Sequence, residues 1–263
     1  MATRDQHGLG APSLNTVVAH DAVIPVAPAA ALARAVRGSA APAPVFTILV
    51  TDQVDSYDKP LSASAVSALR ATPFAPVSDN FAGTSRKAAK LSISSAKVKT
   101  FKDVKELIDS FPADAAMIKH KPKIAGDAKS DRVDEEERNV RVSAFLYAAS
   151  REDDNDFHLI IGTDPKGKKL VCMTMEISGL PPKKAPSFND IKQARDDFKK
   201  LVSDKLPGPG YHFYRPPIPI RIGGSLFFDI TPAKGGHPGP KDLRPSIPTI
   251  MEVHPVTEIA FRP

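Results

Sequence analysis

The sequence predicts a mainly β fold: a five-stranded OB-like barrel over residues 139–263, preceded by a proline-rich, partly disordered N-terminal region. Three observations predict it. From Asn139 onward the chain reads as three strand-like runs, one amphipathic helix and two more strand-like runs, the β-β-β-α-β-β order of an OB barrel. The strand-like runs alternate apolar and polar residues with a period of two. The adjacent pair Gly223-Gly224 interrupts the fourth run, where a barrel strand has to bend sharply.

The elements follow in order. In the first strand Val140, Val142, Ala144, Leu146 and Ala148 share one face, and Arg141, Ser143, Phe145 and Tyr147 share the other. The acidic turn Glu152-Asp-Asp-Asn-Asp156 leads into the second strand, Phe157 to Gly162, and Asp164-Pro-Lys-Gly167 has turn chemistry. The third strand, Lys169 to Ile177, places Val171, Met173, Met175 and Ile177 inward, with Leu170, Cys172, Thr174 and Glu176 on the opposite face. The spacing of Phe188, Ile191, Arg195, Phe198 and Val202 predicts a helix from Phe188 to Ser203. Ser187 is placed to cap it, Lys199 and Lys200 suit its C-terminal end, and Pro207-Gly-Pro-Gly210 stops it. Tyr211 to Pro217 reads as a covering loop over the barrel mouth. The fourth strand follows from Ile218 to Ile230, and the last, Ile250 to Ile259, contains Pro255 and should therefore lie at a bulge or an edge.

Upstream, residues 1–44 are rich in Ala and Pro without periodicity, and they read as a disordered arm. Residues 45–138 form a less defined segment. It holds a short strand or clip at Val45–Val50, a helical turn or two within Leu61–Arg70, loop from Pro73 to Ala89, and a helix over Lys102–Phe111 ended by Pro112. The charged stretch Lys119–Glu137 reads as a solvated linker, with the domain boundary placed there.

Composition bounds function only loosely. The net charge of +6 favours anionic partners without specifying nucleic acid. One cysteine, Cys172, excludes an internal disulfide and suits a reducing compartment. The longest apolar stretch, Ala22 to Val36, is broken by Pro25, Pro28 and Arg34. Asp5 and Asp21 precede it, so neither a membrane span nor a signal peptide is expected, and a cytoplasmic location is. No glycine-rich phosphate loop, nucleophile elbow or H-E-x-x-H motif occurs, so catalysis is not expected and no cofactor is implied.

Three stretches carry a resemblance. Asp154-Asn-Asp-Phe-His-Leu-Ile-Ile161 resembles the D-x-D-[YF]-H-L-[VI]-[LI] hairpin of a group of uncharacterised bacterial proteins. Glu252-Val-His-Pro-Val-Thr-Glu-Ile259 resembles their C-terminal E-[LI]-H-P-V-x-x-I, and Gly224-Ser-Leu-Phe-Phe-Asp229 resembles the G-x-x-F-F-D between them. The resemblance covers Asn139 to Ile259 and marks Asp154, Asp156, His158, Asp229, Glu252 and His254 as pattern residues. It implies an OB-like domain but no activity. The chain departs from the pattern after Asp229, where Ile230-Thr-Pro-Ala-Lys-Gly-Gly-His237 replaces a histidine-glycine step.

Two groups of residues carry chemistry. Arg141, Phe145 and Tyr147, with Lys234, Lys241 and Arg244 of the loop before the last strand, could stack bases and meet phosphates of a single strand. His158, Glu176, Glu252 and His254 come from three strands that adjoin in a barrel, and two imidazoles with carboxylates suit a transition metal. The expectation for both histidines is nevertheless structural, since buried imidazoles need hydrogen-bond partners. The acidic turn reads as solvated. The leading functional expectation is a non-catalytic OB-like module for nucleic acid or another polyanion. A protein-interaction or scaffolding module is the second reading, and a metal-dependent hydrolase using the His/Glu cluster is the third.

Overall fold

The computed structural model describes residues 45–56, 64, 78–203 and 205–262. The expected arm over 1–44, the helical turns within 61–70 apart from Ser64, and the start of the loop at 73–77 lie outside the described residues. The elements are β1 (Thr47–Val50), α1 (Lys87–Lys90), β2 (Val98–Phe101), α2 (Val104–Ile108), α3 (Asp114–Ile118), β3 (Asn139–Arg151), β4 (Phe157–Gly162), β5 (Cys172–Ile177), α4 (Phe188–Val202), β6 (His212–Phe228) and β7 (Met251–Phe261). Short 3-10 turns lie at Asp134–Glu136, Pro232–Lys234 and Arg244–Ser246. Among the described residues, no helix is long and apolar enough to cross a membrane.

The strands form one mixed sheet of seven, in the order β1-β6-β7-β5-β4-β3-β2, with β3 also paired to β6. That extra pairing returns the sheet on itself, so β3, β4, β5, β7 and β6 pair in a ring. Within it β5 and β7 run parallel and the other pairs antiparallel. The expected count of five strands is corrected to seven, because β1 and β2 extend the ring on β6 and β3. β2 carries one buried residue in four, too short a pattern for alternation to announce it.

Within the ring, local chemistry sets the breaks. The stripe of β3 holds through Val140, Val142, Ala144 and Leu146, and then a bulge between Leu146 and Ala148 reverses it. Ala149 therefore joins the main core, while Ala148 joins a second apolar cluster with Ile160, Cys172, Tyr211, Phe213 and Leu243. Gly224 sits where a Cβ would lie 2.1 Å from the Pro255 carbonyl oxygen, and the β6–β7 register shifts on either side of it. Gly224 faces Val256 and Leu226 faces Val253, so His254-Pro255 occupy a bulge in β7, as expected for Pro255. The expected covering loop at 211–217 is a correction: from His212 it belongs to β6, whose first residues pair with both β1 and the end of β3.

Helix α4 buries Ile191, Ala194, Arg195, Phe198 and Val202, and packs on β7 and β5. Ser187 does not cap it; its hydroxyl donates to the Leu91 carbonyl instead. α2 starts at Val104 because Asp103 accepts from the Glu106 amide at 2.8 Å while the Glu106 side chain accepts from the Lys102 amide at 2.9 Å. Most of the stretch expected to be a solvated linker is exposed, but Glu136 within it is not. Glu136 and Arg86 are fully buried and paired, Arg86 donating to both Glu136 carboxylate oxygens at 2.6 and 2.8 Å. Glu136 also accepts from the Phe228 amide at 2.7 Å, which ties this segment to the end of β6.

Candidate functional site

Register places the chemistry. His158 faces Glu176 directly across β4 and β5, and Met175 faces Val253 across β5 and β7. Leu159, Met175 and Val253 fill the main core, so His158, Thr174, Glu176, Glu252 and His254 line the opposite face. All five are buried. That face is covered by Asp55 after β1, by Lys90 of α1 and by Tyr211 at the head of β6.

The acidic hairpin turns inward, against the expectation of a solvated turn. Asn155 takes the left-handed conformation at φ 72, which Asn tolerates. Asp156 is fully buried and accepts from the Gly179 amide at 2.6 Å through Oδ1. Glu152 reaches His158, Asp154 reaches Lys90, and Asp153 alone of these carboxylates is exposed.

Two groups result, and they differ in how well their atoms are satisfied. In the first, Nδ1 of His158 lies 2.8 Å from Glu152 Oε1 and 3.1 Å from Asp55 Oδ2, and the Tyr211 hydroxyl donates to Asp55 Oδ1 at 3.0 Å. This is a hydrogen-bonded array in which His158 Nε2 is buried without a hydrogen bond, and its three acidic and imidazole residues also bring ligand atoms within 4.8 Å of one another. In the second, one ligand atom from each of Asp156, Glu176 and His254 lies within 4.8 Å of the other two. Nε2 of His254 is 3.2 Å from Asp156 Oδ2, and Nδ1 is 2.7 Å from Glu176 Oε2. Yet His254 Nε2, Asp156 Oδ2 and Glu176 Oε2 are all buried without a hydrogen bond. Glu252 Oε1 contacts His254 Nδ1 at 3.2 Å, and Thr174 donates to Glu252 Oε2 at 3.3 Å. The backbone carbonyl of His254 accepts from Arg132 at 2.7 Å.

The electrostatics follow from burial and crowding. Seven carboxylates (Asp55, Glu152, Asp154, Asp156, Glu176, Asp229 and Glu252) interact with three bases, Lys90, His158 and His254. Carboxyl groups thus outnumber bases by seven to three. Burial would depress His158 and His254, but Asp55 beside the first and Glu176 beside the second outweigh it and hold both rings well above the usual histidine value. Burial would raise Glu176, but Lys90 and His254 pull it well below the carboxylate range. Glu252 is pushed up to about 7 by burial and by Glu176, and Glu152 well upward by the same two causes. Burial likewise raises Asp154, helped by Asp156, and Asp229, which accepts from the Thr231 amide at 2.9 Å.

The proposed nucleic-acid residues do not share an environment. Arg141 is paired with Glu258. Phe145 is half-buried; Tyr147 packs on the second apolar cluster and donates to the Thr163 carbonyl at 2.8 Å. Arg244 folds back on the Gly239 carbonyl, while Lys241 is exposed and Lys234, also exposed, borders an apolar cleft with Ile118 and Ile230. By contrast His158, Glu176, Glu252 and His254 do come together, joined by the pattern residues Asp154 and Asp156. Asp55 and Lys90 escaped sequence reasoning because neither lies in a periodic run, and only tertiary packing brings them here. No protein family, curated protein or solved structure matches this chain.

Proposed function

We propose that this chain is an OB-like module whose ligand is a divalent transition-metal ion, held by Asp156, Glu176 and His254. The pairing ring β3-β4-β5-β7-β6, with α4 between β5 and β6, supports reading the sheet as an OB-like barrel. In such barrels the face of the second and third strands and the first hairpin take the ligand; here those are β4, β5 and the acidic hairpin. The observation that carries the proposal is that one ligand atom from each of Asp156, Glu176 and His254 lies within 4.8 Å of the other two, among residues that hold three buried polar atoms without a hydrogen bond. The 3.2 Å edge between His254 Nε2 and Asp156 Oδ2 is close to the roughly 3.3 Å edge of a tetrahedral zinc site. Glu252 would orient the His254 ring from behind, as carboxylates commonly do for metal-bound imidazoles. One imidazole with two carboxylates suits zinc, manganese or iron better than calcium.

The test is direct. Protein stripped by chelator and titrated with Zn²⁺ or Mn²⁺ should take up one equivalent, and His254→Ala should lose it. A wild-type chain that stays metal-free at a large excess of both ions refutes the reading. The nucleic-acid reading has less support, because Arg141, Tyr147 and Arg244 already have partners within the chain.

A further inference from the structure

Resting on that reading, we infer that Lys90 is a built-in rival of the metal ion, an internal ammonium that must be displaced when the ion enters. Its Nζ lies 3.6 Å from Asp156 Oδ2 and 3.7 Å from Glu176 Oε2. These are two of the atoms that lack a hydrogen bond and that crowd His254 at 3.2 and 2.7 Å. Lys90 therefore neutralises the oxygens that would ligate the ion, but from a distance too long for a hydrogen bond.

Its one hydrogen bond in this cluster goes elsewhere, to Asp154 Oδ2 at 3.1 Å. Asp154 is the more solvent-facing of its carboxylate neighbours, its side chain 17% exposed against 0% for Asp156 and 2% for Glu176. The Lys90 backbone is pinned: its amide donates to the Arg86 carbonyl at 2.9 Å, and its carbonyl accepts from the Ser178 hydroxyl at 3.0 Å. Only the side chain can yield, and Asp154 is the position to which it can swing. An ion about 2.0–2.2 Å from both oxygens would stand against the ammonium, and like charges repel strongly at such separations in a buried site.

Two consequences follow. A dication at bonding distance attracts the shared oxygens several times as strongly as the ammonium does from 3.6 and 3.7 Å, and Na⁺ or K⁺ gains less than half as much, so Lys90 makes the site select divalent ions. Lys90 also lowers the apparent affinity, because each binding event includes its expulsion.

The experiment measures Co²⁺ affinity by its visible absorption in wild type, Lys90→Met and Lys90→Arg. Lys90→Met should bind at least about tenfold tighter, equivalent to about 1.4 kcal/mol, and Lys90→Arg should bind no tighter than wild type. Equal or weaker binding by Lys90→Met overturns the inference while wild-type binding leaves the metal site standing. Binding by Lys90→Met alone supports it, and failure of all three chains to bind sinks the metal site itself. A second readout needs no variant. Acetylation of Lys90 in the wild type, mapped by mass spectrometry, should become several-fold faster with Co²⁺ present, and an unchanged or slower rate overturns the inference.

Discussion

Glu176 stands between two imidazoles. Its Oε2 is 2.7 Å from His254 Nδ1, and its Oε1 is 4.0 Å from His158 Nδ1. The cross-strand register of β4 and β5 puts it opposite His158, and the parallel pairing of β5 with β7 brings it beside His254. One carboxylate thus couples two rings that belong to differently bonded groups.

Glu176→Gln should lower the pKa of both histidines, and His254 by more because it is closer. The same change should lower Glu252 below about 7, since Glu176 is one of the two causes that raise it. NMR titration of the imidazole and carboxyl signals reads all three. A shift confined to one ring would mean that Glu176 does not link the groups.

The metal-free protein should lose stability as pH rises from about 4.5 to 7. Glu252 has a folded value of about 7 against an ordinary value of 4.5. The native state therefore binds the extra proton, and its stabilisation is complete below 4.5 and lost as pH rises through 7. The full effect is about 3 kcal/mol. The raised histidines act in the same direction at higher pH: their contribution is present below the ordinary histidine value and lost above the raised one. Urea midpoints across this range should fall in wild type, and the slope between 4.5 and 7 should flatten in Glu252→Gln. Metal affinity should do the opposite and increase with pH, because ligands must release protons to bind.

Glu136→Ala should cost about 3–5 kcal/mol in denaturant unfolding, because it strands Arg86 as an unpaired charge at 0% exposure. It also removes the acceptor of the Phe228 amide. A loss below about 1 kcal/mol would show that water or another group replaces the carboxylate.

The fold was legible where periodicity was long, and the site only where its residues sat in strands. β4 runs over Phe157–Gly162, the bounds expected after the acidic turn, and α4 ends one residue before its expected limit. His158, Glu176, Glu252 and His254 were brought together by strand adjacency alone. The acidic hairpin misled, since Asp and Asn in a turn look solvated whichever way their side chains point. Lys90 and Asp55 could not be found, because a residue outside any repeating pattern carries no sequence mark of the partner it meets across the fold. Arg86 and Glu136 were hidden for the same reason: Glu136 lies within a charge run, where solvation is the ordinary outcome.

Gly224→Ala should damage fold and site together. A Cβ there would lie 2.1 Å from the Pro255 carbonyl oxygen and 2.9 Å from Val253 Cγ1, so either β6 or β7 must move. The backbone oxygen cannot rotate aside as a flexible side chain would. Overpacking of this kind costs about 1–3 kcal/mol or more. The strain falls on the β7 bulge that carries His254-Pro255, so His254 should leave its place against Asp156 and Glu176. The expected result is a lower urea midpoint together with weaker Co²⁺ binding. Gly126→Ala is the matched control, because its nearest neighbour would be Ile230 Cγ2 at 3.7 Å, an ordinary contact, and both properties should stay near wild type. If Gly224→Ala unfolds at the wild-type midpoint, the close approach of β6 to the β7 bulge is wrong. If it is destabilised yet binds Co²⁺ undiminished, His254 is not held in place by that bulge.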